Sequence, residues 1–372
     1  MHLPFCDVKC AYCDFYSLAH RHVDESFWRQ YTDRLLDDLT RQHTELITDF
    51  PGATLASVFF GGGTPSKAPA FVFEEVIAGV RRIFTRQRPE IEISAEANPE
   101  SLSAAVLAAW RSAGINRVSV GMQSLDETVL KYLGRLYNPA AYREVFARLR
   151  HAGFTNFNAD FITGVPGQSV RSTITDVDFA VGEGVSHVSL YQLTVEPGTL
   201  LKQRIESGAL QRPSDTRQLR QMEAAVRHLE KRDFHRYEIS NFTKGHAPCL
   251  HNLIYWTGRP YLGLGVSAHG FTGRRRFFHA RSLEKYLAGA RPEEDTAASP
   301  RDQLINLLRL RRPFQPAKVL TLFASAEARA SAERVLTAAT ERGWLQKNKK
   351  TVVPTAAGFR FTDSLLAEFW RI

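Results

Sequence analysis

The sequence predicts an α/β protein built as a full or partial β/α barrel, and three observations carry that expectation. Between residues 57 and 242, short runs rich in β-branched and aromatic residues alternate with amphipathic stretches whose apolar positions recur every three or four residues. Two of those stretches run into Gly114 and Gly153, where a helix C-cap is expected. Small and polar residues of unusual kind gather where the strands should end: Gly61 to Ser66, Glu96 to Pro99, Met122 to Ser124, Asp160, and Glu196 to Gly198. That is the face on which β/α barrels collect their chemistry.

Taken in order, "HLPF" near the start reads as a shortened first strand and "SVFF" (57–60) as the next. "AFVFEEVIAGVRRIF" (70–84) is helical, "IEISAEA" (91–97) a strand, "SAAVLAAWRSAG" (103–114) a helix and "RVSVGM" (117–122) a strand. "PAAYREVFARLRHAG" (139–153) is the following helix, and "NFNADFITG" (156–164), "HVSLYQL" (187–193) and "YEISNF" (237–242) are further strands. Strand, helix and strand in repetition call for parallel strands joined by crossover helices. At 288–300, "AGARPEEDTAASP" reads as a polar, proline-bearing linker. Beyond it, two helical stretches, "RDQLINLLRLRR" and "AERVLTAATERGWL", precede "LQKNKKTVVPT", which looks like a two-stranded wing, and a final helix "SLLAEFW". The expected division is therefore 1–287 for the barrel and the segment after it, and 300–372 for a winged-helix-like C-terminal domain.

Composition narrows the class. The chain has 372 residues, 44% of them hydrophobic and 23% charged, as in ordinary globular proteins. No apolar run approaches the ~20 residues a bilayer span requires, and nothing at the N-terminus reads as a secretory signal. Four cysteines in a chain of this length do not make a disulfide framework, so a reducing, cytoplasmic setting is expected. The net charge of +9 suits an anionic partner: acidic lipid head groups at the inner face of a membrane, a polycarboxylate ligand, or nucleic acid. A solvated basic surface explains the charge equally well.

Three of the four cysteines, Cys6, Cys10 and Cys13, stand together in "CDVKCAYC". Thiolates at C-x3-C-x2-C spacing converge on one centre when the loop curls. A structural zinc site recruits a fourth protein ligand, here from His2, His20 or His22. An iron–sulfur cluster held by three thiolates instead leaves one iron open, with Tyr12 beside the open position.

"CDVKCAYC" resembles the signature of the radical S-adenosylmethionine (radical SAM) family, and other segments agree in order. "FFGGGTPS" is similar to that family's glycine-rich turn, "EANPE" supplies Glu96, "GMQS" Gln123, "LGR" Arg135 and "NADFITGVPGQ" Asp160. The resemblance implies a partial (β/α)6 barrel, with Cys6, Cys10 and Cys13 holding a [4Fe-4S] cluster whose fourth iron is chelated by S-adenosylmethionine. It implies further that Tyr12, Gly62, Gly63, Thr64, Glu96, Gln123, Arg135 and Asp160 contact the cofactor. The glycines are expected to be small because backbone must approach a bound ligand.

Within the family, the chain looks like the oxygen-independent coproporphyrinogen III oxidases (HemN) and the HemW-type haem chaperones. The decarboxylases carry a further cysteine after the cluster motif and a segment before the barrel. Here Phe15 occupies the cysteine position, and five residues precede Cys6. Tyr137 stands where the family has a histidine. "HNLIYW" resembles the HNxxYW signature of the haem-chaperone branch, which makes His251, Asn252, Tyr255 and Trp256 candidate haem contacts. Cys249 and His269, the latter in "YLGLGVSAHG", are further candidate ligands. The resemblance implies haem and haem-accepting proteins as partners. The alternatives are porphyrinogen decarboxylation and, less favoured, nucleic-acid modification through the winged domain.

Overall fold

The computed structural model describes residues 1–19, 23–135, 141–245 and 248–372. His20, His22 and Tyr137 lie outside the described residues. Six parallel strands stand side by side in chain order: His2–Leu3, Leu55–Gly62, Gln87–Ala97, Arg117–Gln123, Asn156–Thr163 and His187–Gln192. A doubly wound sheet would reverse its order at a switch point; unbroken sequential order with an open edge is that of a partial β/α barrel. The strands bury residues on both faces: Val118 and Val120 alternate with Arg117 and Ser119, and Ala159 and Phe161 with Asn158 and Ile162. Helices that cover the outside follow from the amphipathic stretches, including Ala70–Ile83, Ala104–Ala113 and Ala141–His151. Ser103 caps one of these helices by accepting from the Val106 N–H, and Gly114 ends it at φ 100°, a left-handed conformation that suits glycine.

The segment 237–242 is not a seventh parallel strand. Asn241–Thr243 runs antiparallel to His187–Gln192, and His235–Arg236 pairs on its other side. The chain reverses there through a tight loop. The Arg236 guanidinium donates to the Ile239 carbonyl, and Glu238 accepts from the Ser240 N–H at 2.8 Å. The expected linker also differs. Its residues Glu293–Ala297 form a strand on Arg275–Phe278, completing a three-stranded antiparallel sheet with His269–Phe271. All five residues of that strand are exposed, so no alternation betrays it; pairing and an Arg275–Glu294 ion pair hold it.

The longest helix, Glu25–Asp49, escapes the hydrophobic pattern because Thr32, Asp38 and Gln42 interrupt its buried stripe. Those polar residues are tied elsewhere: Asp38 to His279 at 2.8 Å, and Gln42 to the Gly263 carbonyl at 2.8 Å. The helix thereby fastens the 261–280 segment to the barrel.

From Leu304 to Phe369 a second apolar cluster forms around Leu308, Val319, Leu336 and Leu366. Its helices, Pro300–Arg309 and Ala326–Glu341, precede the two-stranded wing Leu345–Asn348 and Thr351–Pro354. Backbone bonds from Arg311 N–H to the Tyr237 carbonyl at 2.9 Å and an Arg309–Glu238 ion pair at 2.9 Å join this lobe to the barrel. No helix among the described residues is long and apolar enough to cross a membrane.

Candidate functional site

The cysteine loop is anchored at its middle. Ala11 donates to the Leu133 carbonyl at 3.1 Å and accepts from the Leu201 N–H at 2.7 Å, while the Cys13 N–H closes a turn on Cys10 at 3.2 Å. Gly134 adopts φ +74° and comes so close that a Cβ there would lie 3.1 Å from Ala11. The three thiols are half-exposed and near enough to repel one another as thiolates; burial first, and then those neighbours, push Cys13 up to about 11. Among the described residues, no three His, Cys, Asp or Glu side chains converge on a point where one metal ion would sit. A mononuclear zinc site draws its sulfurs to about 4 Å from one another, whereas a cluster receives each thiolate on a different iron. The donor set of three thiols on an anchored loop fits the cluster.

A polar chain connects two of those thiols behind the loop. Thr64 Oγ1 donates to Cys6 Sγ at 3.3 Å and accepts from Asn98 Nδ2 at 3.2 Å. Asn98 Oδ1 in turn accepts both guanidinium nitrogens of Arg135, at 3.1 and 2.8 Å, and Arg135 Nη1 reaches Cys10 Sγ at 3.9 Å. Asn98 was not among the residues expected from the sequence, though it stands in the same "EANPE" segment as Glu96. Tyr12 packs against the apolar cluster that contains Val129, Leu133 and Ile162, and Cys10 and Arg135 are its nearest charged neighbours.

The glycine-rich turn owes its composition to packing as well as to any ligand. A Cβ on Gly63 would lie 2.6 Å from the Phe5 nitrogen, and one on Gly62 (φ +104°) would strike the His2 ring. Gly63 and Thr64 donate to the Leu3 and Phe5 carbonyls at 2.9 and 2.8 Å. The expected reason, approach of backbone to a ligand, therefore has a second cause in the first strand. Gly62 N–H also meets Glu96 Oε2 at 3.3 Å. Burial, and then the negative charge of Asp160, hold Glu96 up to about 7.

Gln123 ends its strand at φ 67°, in a left-handed conformation that costs a non-glycine residue energy. The register against the next strand shifts between Gly121 and Gln123, as at a bulge. Asp160 accepts from Ser119 Oγ at 2.8 Å and Asn158 Nδ2 at 2.7 Å. From Asn158 the bonding runs on through the barrel: to His187 Nδ1 at 2.7 Å, from His187 Nε2 to Tyr237 Oη at 2.9 Å, and from Asn252 Nδ2 to Tyr237 Oη at 3.2 Å. Asp160 and Asn252, distant in sequence, thus share one network.

The haem-signature residues ride on the helix Leu250–Trp256. Its start is capped from outside: Glu92 of the central sheet accepts from the Leu250 and His251 N–H groups at 2.9 and 3.0 Å. Both ring nitrogens of His251 are engaged, Nδ1 with Ser57 Oγ at 2.9 Å and Nε2 with Tyr255 Oη at 2.8 Å, and its ring stacks on Phe59. Burial, with nearby positive charge second, lowers its pKa to about 3. Cys249 is 2% exposed and, mainly by burial, pushed up to about 11, which makes it a core thiol. Arg309 lies over the Trp256 ring at 3.9 Å, and the indole Nε1–H has no acceptor among the described residues.

His251, Asn252, Tyr255 and Trp256 line a cleft of about 1270 Å³ that also receives Gly61, Gly62 and Glu96 from the barrel and Arg312 and Lys318 from the C-terminal lobe. Phe15, 63% exposed, stands at its edge.

The sequence model of the Radical SAM superfamily matches residues 1–180. Heme chaperone HemW of Mycobacterium tuberculosis (strain ATCC 25618 / H37Rv) is 36% identical over 293 residues, 78% of this chain and 74% of that protein. Heme chaperone HemW of Bacillus subtilis (strain 168) is 31% identical over 289 residues, 77% of this chain and 74% of its own. Among solved structures, coproporphyrinogen III oxidase (HemN) from Escherichia coli superposes with a TM-score of 0.81 at 20% identity, covering 99% of this chain and 88% of that one, a likeness of fold. The partial barrel, the motif order and these relatives agree: the chain belongs to the radical SAM superfamily and, within it, to the HemW family.

Proposed function

We propose that the protein is a haem chaperone on a radical SAM scaffold, which holds haem in the cleft between barrel and C-terminal lobe and releases it to haem-accepting proteins. One observation carries the reading: a single cleft of about 1270 Å³ brings the signature helix and the glycine-rich turn together. That volume is ample for a flat macrocycle, since pockets of roughly 300–1,000 Å³ already hold ligands of that size.

Cys6, Cys10 and Cys13 would hold a [4Fe-4S] cluster, and Tyr12, Gly62, Gly63, Thr64, Glu96, Gln123, Arg135 and Asp160 would surround S-adenosylmethionine. When bound, these two groups supply radical chemistry. The chain's own residues bind and orient. Arg135, clamped by Asn98, places positive charge beside Cys10, where an anionic cluster needs it. Asp160, steadied by Ser119 and Asn158, offers a carboxylate for ribose hydroxyls. The exposed wing lysines Lys347, Lys349 and Lys350 suit peripheral contact with anionic lipid.

The test is product analysis. Anaerobically reconstituted protein, given S-adenosylmethionine, reductant and coproporphyrinogen III, should leave the porphyrinogen unchanged while retaining added haem through gel filtration. Formation of protoporphyrinogen would establish the decarboxylase reading instead.

A further inference from the structure

We propose that His269, and not the signature histidine His251, ligates the haem iron; the proposal rests on the haem-binding reading above and names the side chain that site uses. Three imidazoles line the cleft: His2, His251 and His269. An iron ligand needs a ring nitrogen with a free lone pair that a macrocycle can approach. His251 offers none, because Ser57 and Tyr255 hold its two nitrogens and Phe59 covers its face. His2 is 9% exposed, and its Nε2 is sealed from solvent against Gly62. His269 is exposed, and no hydrogen bond to its ring occurs among the described residues.

The backbone around His269 is built to present it. It opens the strand His269–Phe271, whose partner across the hairpin is Phe278, with Phe271 opposite Arg276. Alternate residues of a strand share a face, so His269, Phe271, Arg276 and Phe278 form one surface: an imidazole, two aromatic rings and a guanidinium. That face reaches the cleft through His269, Phe271 and Arg276. Gly263 allows the placement, since a Cβ there would lie 2.2 Å from the His269 carbonyl oxygen. Just before the strand, Ser267 is held at φ 58°, a strained conformation in a residue that also lines the cleft.

The charges in the cleft match the rest of the ligand. A porphyrin's two propionates need cations, and Arg312 and Lys318 of the C-terminal lobe line the same cleft, exposed and without a carboxylate partner among the described residues. Neutral imidazole is the form that donates to iron. Burial and then Arg281 and Arg276, against the opposing charge of Asp295, lower the His269 pKa and favour that form. Ligation exchanges no electron: the ring nitrogen donates its lone pair to the iron and water leaves.

The experiment is a titration of ferric haem into cluster-loaded protein, read by the Soret band and resonance Raman, for wild type, His269→Ala and His251→Ala. Metal-free protoporphyrin IX serves as the control ligand. His269→Ala should abolish the histidine-ligated signature and weaken haem binding at least tenfold, while protoporphyrin IX binds as in wild type and added imidazole restores the signature. His251→Ala should keep the histidine-ligated spectrum even where affinity falls. An unchanged spectrum in His269→Ala, or loss of ligation in His251→Ala with His269 intact, overturns the assignment and leaves haem binding standing. Absence of saturable haem binding in wild type overturns both.

Discussion

Replacing Glu92 tests whether the haem-signature helix is held from the barrel. The helix has seven residues, too few to be stable alone, and Cys249 at its N-cap provides no side-chain bond. Glu92 supplies that cap from the Gln87–Ala97 strand, with one oxygen on the Leu250 N–H at 2.9 Å and the other on the His251 N–H at 3.0 Å. Bonds to a charged acceptor contribute about 1.5–3 kcal/mol each and a lost cap about 1. Since solvent reaches part of the site, Glu92→Ala should cost about 2–4 kcal/mol. Glu92→Gln keeps one acceptor oxygen and should cost about half as much. The side chains of Asn252 and Tyr255 depend on the same helix, so haem affinity should fall on the order of tenfold, about 1.4 kcal/mol, in the alanine variant. Urea unfolding followed by circular dichroism, beside a haem titration and an iron assay, measures all three. Cluster content should hold, because the cysteine loop takes its anchors from Leu133 and Leu201. A Glu92→Ala protein with wild-type unfolding and wild-type haem affinity would refute the reasoning.

Other expectations follow from the same geometry. Anaerobic reconstitution should load about four iron and four sulfide per chain, and alanine at Cys6, Cys10 or Cys13 should abolish this while Cys249→Ala leaves it unchanged; chemical iron and sulfide analysis decides. S-adenosylmethionine should bind only to cluster-loaded protein, and Asp160→Ala should weaken that binding in equilibrium dialysis without loss of iron. Glu96 titrates near 7 in the fold against 4.5 ordinarily, so the unfolded chain sheds its proton first. Its contribution is present at low pH and is lost as pH rises from about 4.5 through 7; Glu96→Gln should remove that slope from urea midpoints measured across the window. The double change His251→Ala with Trp256→Ala should lower haem affinity with cluster absorbance preserved, and a thermal melt beside the titration separates this from general unfolding.

What the sequence disclosed depended on whether a residue's job is local. Strand and helix periodicity, the glycine at Gly114 and the spacing of Cys6, Cys10 and Cys13 are local, and each reads directly. The edge strand Glu293–Ala297 hides because all its residues face water and its stability comes from a partner strand. The helix Glu25–Asp49 hides because Asp38 and Gln42, buried to hold His279 and Gly263, break its apolar stripe. Asn98 and Glu92 are ordinary polar residues in strand-end and strand contexts. Their roles, joining Thr64 to Arg135 and capping a helix 158 residues away, exist only once the chain is folded. His251 shows the converse. The motif singles it out as a candidate ligand, yet only packing reveals that both its ring nitrogens are engaged.

The most direct test of the central claim is an anaerobic haem titration of the cluster-loaded wild-type protein, followed at the Soret band to saturation. Binding should saturate at one haem per chain, with the bound haem passing to an added apo-haem protein and the iron–sulfur content unchanged throughout. Non-saturable uptake, or binding that proceeds only as the cluster is lost, would contradict it.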